Sequence, residues 1–422
     1  MSSVVISIRD GMNDVVASKH NKSFRSYLAS VSGFIREWRS KYDMRRVIHS
    51  IKVGIALVLV SLFYLVNPLY NQVGENAMWA IMTVVVIFEF YAGATLGKGI
   101  NRGIGTILGG GLGCMAAVLA QQIGGVGNSV LVGFSVFVFG AAATYSRLIP
   151  SIKRRYDYGA MIFILTFNLV VVSGLRAGQV MDIARDRLAT IGIGFAICIF
   201  TSLLVFPNWA SDELHVSVAS KFEDVGSSIE GCMEGYFMSG NEKEKQGSNN
   251  CKNCKAVLHS KSKDEMLANF ARWEPWHGKF GFSYPWNKYL QIGENLRELA
   301  VTVISLRSCL ESPRQPTKNL REPMTEPCSS VMSMLAWALR ELRESIMKMR
   351  RFQVGEEVLS KLKAVRVELT LLTPQTMLAP LQKDEELAVA SFLFLLMEMV
   401  EKVEELAKEV EELGELASFP AL

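Results

Sequence analysis

The chain has 422 residues, half of them hydrophobic, seven cysteines and a formal net charge of +4. That small charge gives no reason to expect a nucleic-acid partner. The apolar residues crowd into 47–207 and the charges concentrate after 208, which predicts a membrane half followed by a soluble half.

Residues 1–46 are polar and end in a basic cluster of Arg36, Arg39, Lys41, Arg45 and Arg46. With Phe34, Ile35 and Trp38 among them, they read as a cytosolic amphipathic lead-in at a lipid surface. No charged start followed by a short apolar core and a cleavage site is visible, so no secretory signal is expected.

Six apolar runs follow, at about Val47–Val66, Ala77–Tyr91, the glycine-rich stretch from Gly93 to about Ala120, Ser129–Tyr145, Tyr158–Ser173 and Leu188–Phe206. Each approaches the ~20 residues that a helix needs to cross a bilayer. The third run carries Gly105, Gly109 and Gly113 at four-residue spacing. In a soluble helix each glycine costs roughly 1 kcal/mol against alanine, whereas in a membrane small residues let helices approach closely. The loops alternate in charge. The lead-in, the stretch with Lys98 and Arg102, and the loop with Arg147, Lys153, Arg154 and Arg155 are basic, while 67–76 and 121–128 hold no Lys or Arg. The positive-inside rule then gives six spans with both termini cytosolic. Segment 174–187 breaks the rule: it carries Arg176, Arg185 and Arg187 with Asp182 and Asp186 on the nominally outer side. Either those aspartates neutralise the arginines, or the arginines face a water-filled path.

Beyond Pro207, helices are expected at about 211–237, 255–272, 288–310, 328–352, 356–372 and 383–416, with loops at 239–253 and 313–327. The last helix repeats apolar residues in a 4-3 pattern (Phe392, Leu396, Met399, Val403, Leu406, Val410, Leu413), which calls for burial against a neighbouring helix. The fold class is therefore an all-α membrane protein, divided into an N-terminal segment (1–46), a six-span domain (47–207) and a helical cytosolic domain (208–422).

Enzyme chemistry is missing from the motifs. The glycine-rich stretch has no GxxxxGK[ST], no HExxH or GxSxG occurs, and Cys251–Cys254 is a single CxxC without a second pair. No cofactor and no metal are expected. The unusual residues are ionisable groups at span ends or within spans: Lys52, Glu89, Lys98, Arg102, Arg185 and Arg187. A charge at the bilayer centre costs about 2.5–3.5 kcal/mol even on the mildest scale, so such groups face an aqueous cavity or a counter-ion. Lys98 and Arg102, four apart, share a helix face, and rings of such cations select anions in pores. Positive-inside flanking also accounts for Lys98. Glu89 reads as a structural partner of a cation, or as the proton site of a proton-coupled organic-anion carrier.

The run Trp79-Ala80-Ile81-Met82-Thr83-Val84-Val85-Val86, then Phe88-Glu89-Phe90 and Gly93-Ala94-Thr95-Leu96-Gly97-Lys98-Gly99-Ile100-Asn101-Arg102-Gly103, closely resembles the plant aluminium-activated malate transporter family. So do Tyr156-Asp157-Tyr158-Gly159, the Phe163–Phe167 run and Trp273-Glu274-Pro275; the resemblance covers about 46–310. It implies a homodimeric anion channel in the plasma or vacuolar membrane, passing malate and often chloride, nitrate or sulfate through a basic pore at the dimer axis. Arg102 and Arg187 match pore-lining positions of the family, and Glu274 matches an acidic position linked to transport. Of the outer carboxylates found in aluminium-responsive members, Asp182 matches one, but Gly178 stands where another is wanted and the first outer loop offers only Glu75. Activation by aluminium is therefore not expected.

Overall fold

A computed structural model of the chain describes residues 44–66, 77–174, 180–237, 252–281, 283–311, 318–350, 354–377 and 383–420. The basic lead-in up to residue 43, Glu75, Arg176 and Gly178 lie outside the described residues, as does the side chain of Asp182. The named elements are all helices: α1 (Met44–Leu65), α2 (Ala77–Ile87), α3 (Ala92–Ile123), α4 (Gly125–Leu148), α5 (Pro150–Gly174), α6 (Val180–Leu204), α7 (Ala210–Phe237), α8 (Lys261–Ala271), α9 (Trp286–Leu310), α10 (Lys318–Lys348), α11 (Val354–Met377) and α12 (Lys383–Leu416). They form two compact units. One comprises Met1–Phe90 and Lys98–Asn208, the other Tyr91–Gly97 and Trp209–Leu422.

In the first unit α1, α3, α4, α5 and α6 are long and apolar enough to cross a membrane. The chain is thus a multi-pass membrane protein. The second apolar run differs from its sequence pattern. Its helix is only 11 residues long, and Phe88-Glu89-Phe90 leaves the helical path before α3 begins. Helices α1, α2 and α6 share one apolar cluster through Ala56, Val60, Ala80, Val84, Phe88 and Cys198. Helices α3, α4 and α5 share another through Ala116, Ala120, Val132, Phe167 and Val171. Large exposed apolar side chains such as Phe134, Phe137 and Phe200 remain on the outside, as expected of a surface solvated by hydrocarbon rather than water.

The second unit closes one hydrophobic core from α7 to α12. The α12 seam is buried there: Leu396, Met399, Val403, Leu406 and Leu413 have no exposed surface, and the helix packs on α9 and α11. Helix α10 begins at Lys318, so Pro323 and Pro327 lie inside a helix rather than in the expected loop. Packing of its apolar face, from Cys328 through Leu335 to Leu342, outweighs the local propensity of the prolines. The ion pairs of this unit include a buried one, in which Asp264 accepts from Lys221, from Arg297 Nη1 at 3.1 Å and from Ser260 Oγ at 3.2 Å.

Candidate functional site

Helix α3 is built to lie against other backbones. A Cβ added at Gly105 would come 2.4 Å from the carbonyl oxygen of Gly159, and one at Gly109 would come 2.7 Å from that of Phe163. At Gly113 it would meet Val170 Cβ at 3.0 Å. The four-residue glycine ladder therefore exists to seat α5, whose Gly159, Phe163, Thr166 and Val170 recur at matching helical intervals. On another side of α3, Gly99 receives the Phe195 ring of α6.

This packing leaves a cavity of about 760 Å³ beside α3, lined among others by Thr106, Gly110, Cys114, Thr166, Arg185 and Arg187. Thr106, Gly110 and Cys114 are one turn apart each, so a single α3 face forms that wall. The rest of the lining is largely apolar, from Ile107 to Leu119 on α3 and Val170 on α5. From Thr106 to Leu119 the wall runs ~20 Å along the helix axis at 1.5 Å per residue. The Thr106 hydroxyl is buried without a hydrogen-bond partner among the described residues, whereas Thr83, Thr190 and Thr201 each donate to the carbonyl four residues back.

Of the cations singled out in the sequence, the structure brings Arg185 and Arg187 to this cavity. Arg187 forms no ion pair among the described residues; its guanidinium carbon lies 4.0 Å from the centroid of the Trp79 ring. Arg102 is one turn before Thr106 on the same face but is only 6 % exposed, between α3 and α5. Its Nη1 donates to the Tyr158 hydroxyl at 3.1 Å, its Nε is buried without a partner among the described residues, and it does not line the cavity. Lys52 is buried on the α1 stripe with Ala56 and Val60, facing the α1–α2–α6 cluster. Lys98 is ion-paired with Glu89, both about two-fifths exposed. The partner is Lys98 and not Lys52 or an arginine, and such exposed pairs contribute little stability. The pair forms because the chain turns between α2 and α3, a turn that no Gly or Pro between 87 and 92 announces. Asp186 is exposed on α6. Near the α4–α5 turn, Arg147 grips Asp157 with Nε and Nη2 at 2.8 and 3.2 Å.

Glu274 belongs to the other unit and has a local task. Its carboxylate accepts from the backbone N–H groups of Ala210 at 2.6 Å and Ser211 at 3.2 Å. These are the first-turn donors of α7, which have no partner inside the helix. Burial pushes the Glu274 carboxyl up, while the hydrogen bonds from Ser211 and Ala210 pull it down. His277 adds to the joint. It stacks on Trp209 at 3.7 Å and hydrogen-bonds Ser211 Oγ through Nε2 at 2.9 Å. Gly93 completes it, since a Cβ there would lie 2.2 Å from the Phe270 carbonyl oxygen and 2.7 Å from Glu274 Cγ. Among the described residues no group of three or more His, Cys, Asp or Glu is placed to hold a metal ion.

The pattern described as "Aluminium activated malate transporter" matches residues 39–378. The chain belongs to the aluminium-activated malate transporter family. It is 45 % identical over 328 residues to aluminum-activated malate transporter 12 of Arabidopsis thaliana, an alignment covering 77 % of this chain and 58 % of that protein. It is 39 % identical over 398 residues to transporter 2 of the same plant, covering 93 % and 79 %. Transporter 1 of Triticum aestivum is 35 % identical over 404 residues, covering 92 % and 86 %. The chain thus spans less than two thirds of the length of transporter 12. Within the family match lie both the glycine ladder with its cavity and the Glu274 joint. The residues that sequence reasoning did not assign to the site are Trp79 as the ring beneath Arg187, Tyr158 as the partner of Arg102, and Thr106. Only the unusual Arg187 hinted at a partner, and nothing in the spacing named Trp79.

Proposed function

We propose that this protein is an anion channel that passes malate, and with it chloride, nitrate or sulfate, down the electrochemical gradient. In this reading the spans number six, the short α2 completing the set, both termini are cytosolic, and two subunits pair around a basic pore. The membrane is the plasma or the vacuolar membrane, and aluminium does not open the channel. The observation that carries the reading is the cavity beside α3, which joins an arginine without a carboxylate partner among the described residues to a long wall of small and apolar side chains. An anion shedding part of its hydration can exchange it for the guanidinium edge of Arg187, while the weakly interacting wall lets it leave again. Binding strong enough to admit and weak enough to release is what conduction needs. The driving force is about 2.3 kcal/mol per charge per 100 mV.

Whole-cell recording with malate as the main internal anion tests this. The expected result is a current whose reversal potential follows the malate gradient and falls strongly in Arg187→Ala. Unchanged current in that variant removes Arg187 from the pathway, and a reversal potential that tracks an imposed pH gradient instead points to proton coupling. The channel reading is preferred over a proton-coupled carrier because Glu89, the carboxylate such a carrier would use, is ion-paired with Lys98.

A further inference from the structure

Trp79 and Arg187 come from different helices, α2 and α6, and their register is fixed. One face of α6 lies directly on α2 at Gly194, where a Cβ would meet the Ala80 carbonyl oxygen at 2.7 Å and Thr83 Cβ at 2.9 Å. Ala80 follows Trp79 directly and Thr83 lies one turn after it on α2, while Gly194 is two turns along α6 from Arg187. The close approach therefore sets the distance between the indole and the guanidinium, which is 4.0 Å from carbon to centroid. A cation within ~6 Å of an aromatic centroid is attracted to the ring face, most strongly for tryptophan.

We propose that Trp79 is the positioning residue of the anion site: it holds Arg187 by the guanidinium face and so presents the N–H edge to an anion in the cavity. The chemistry favours this division of labour. An arginine held by a carboxylate would use its in-plane donors on that carboxylate and lose its net charge to it. An arginine held by a ring keeps its full charge and its in-plane fork, which matches a carboxylate or another oxyanion in bidentate fashion. Arg187 forms no ion pair among the described residues and lines the cavity, so the ring is what restrains it. Trp79 thereby tunes how tightly malate is held without itself touching malate. This inference rests on the channel reading given above.

The test is a double-mutant cycle on the full chain in planar bilayers, reading the half-saturating malate concentration and the maximal current. Trp79→Leu should raise the half-saturating concentration about 3- to 30-fold, the span of a partly to fully desolvated cation–ring contact. Trp79→Phe should fall between Leu and wild type. In an Arg187→Ala background, Trp79→Leu should change nothing further. A merely structural tryptophan would depress the current equally with or without Arg187, and that additive result overturns the proposal while leaving the channel reading intact. A wild-type protein silent to every anion overturns the channel reading, and this inference with it. Should Trp79→Leu fail to fold, the cycle is run with Trp79→Phe and Arg187→Lys, on current and on melting in nanodiscs. Coupling between the two supports the contact; simple addition refutes it.

Discussion

His215 makes the helical unit from Trp209 to Leu422 sensitive to mild acid. It is a buried residue on α7 whose Nδ1 pairs with the Tyr289 hydroxyl at 2.8 Å. Burial pushes its imidazole down to about 4 from the usual 6.5; Lys279 adds to the fall, and a hydrogen bond to the Met347 backbone opposes it. A histidine lowered on folding binds its proton more readily in the unfolded chain. Stability is then complete above 6.5, falls with pH between 6.5 and about 4, and is flat below. The whole difference is worth about 3 kcal/mol at 1.36 kcal/mol per unit. At pH 5 nearly every unfolded chain is protonated against about one folded chain in ten, so the drop from pH 7 to pH 5 is about 2 kcal/mol. Glu274, raised by burial, works in the opposite sense between its usual and raised values, so the comparison must be made against a variant. His215→Gln keeps hydrogen-bonding capacity and does not titrate. Hydrogen exchange of α7 and α9 amides in the full chain, corrected for intrinsic rates, should lose about 2 kcal/mol more protection in wild type than in His215→Gln over that interval. Equal losses in the two proteins would refute the assignment.

Three further outcomes are expected. Asp264→Asn leaves Lys221 buried without its carboxylate and leaves Arg297 with Glu294 alone; it should cost about 3–5 kcal/mol, read as a large fall in melting temperature of the full chain. Gly109→Ala drives a methyl group against the Phe163 carbonyl and should destabilise the protein by ~1–3 kcal/mol. Gly103→Ala, where a Cβ meets nothing within 4 Å, should be neutral or gain up to ~1 kcal/mol in helix propensity; equal losses at both sites in nanodisc melting would refute the ladder. Glu274→Ala strips two N–H groups of α7 of their acceptor and should cost ~1–2 kcal/mol, seen as faster exchange confined to the first turn of α7, with Glu274→Gln losing less.

Hydropathy and charge made most helices legible, because a span must be apolar and its backbone bonded within itself. Their ends were less so. The fifth apolar run starts at Tyr158, yet α5 starts at Pro150, since a helix continues through Lys153, Arg154 and Arg155 where an apolar count stops. The α12 seam was visible because its 4-3 repeat is long and uninterrupted. The end of α2 is hidden in the sequence, because Ile87-Phe88-Glu89-Phe90-Tyr91 contains no breaker; the backbone leaves the helix there and Glu89 pairs with Lys98 across the turn.

The candidate site divides along the same physical line. Residues whose cost is local announce themselves: Arg187 stood out as a cation where the alternation of loop charge fails, and the glycines stood out as a propensity penalty repeated every four residues. Residues whose value is relational do not. Gly105, Gly109 and Gly113 say that a backbone comes close, but only the fold says that it belongs to α5. Trp79 looks like any interfacial tryptophan until α6 is laid on α2 at Gly194. Arg102 is the instructive case, because its position in a glycine-rich basic stretch suggested exposure to a pathway, whereas its guanidinium is covered and hydrogen-bonded to Tyr158. A charge so placed can still act on an anion one turn away, since a low-dielectric surrounding screens it poorly. Replacing Tyr158 with Phe would then lower the held orientation of Arg102 without removing its charge. Currents in Tyr158→Phe close to wild type, set beside a large loss in Arg102→Ala, would assign Arg102 a field effect; equal losses would assign it a geometric one.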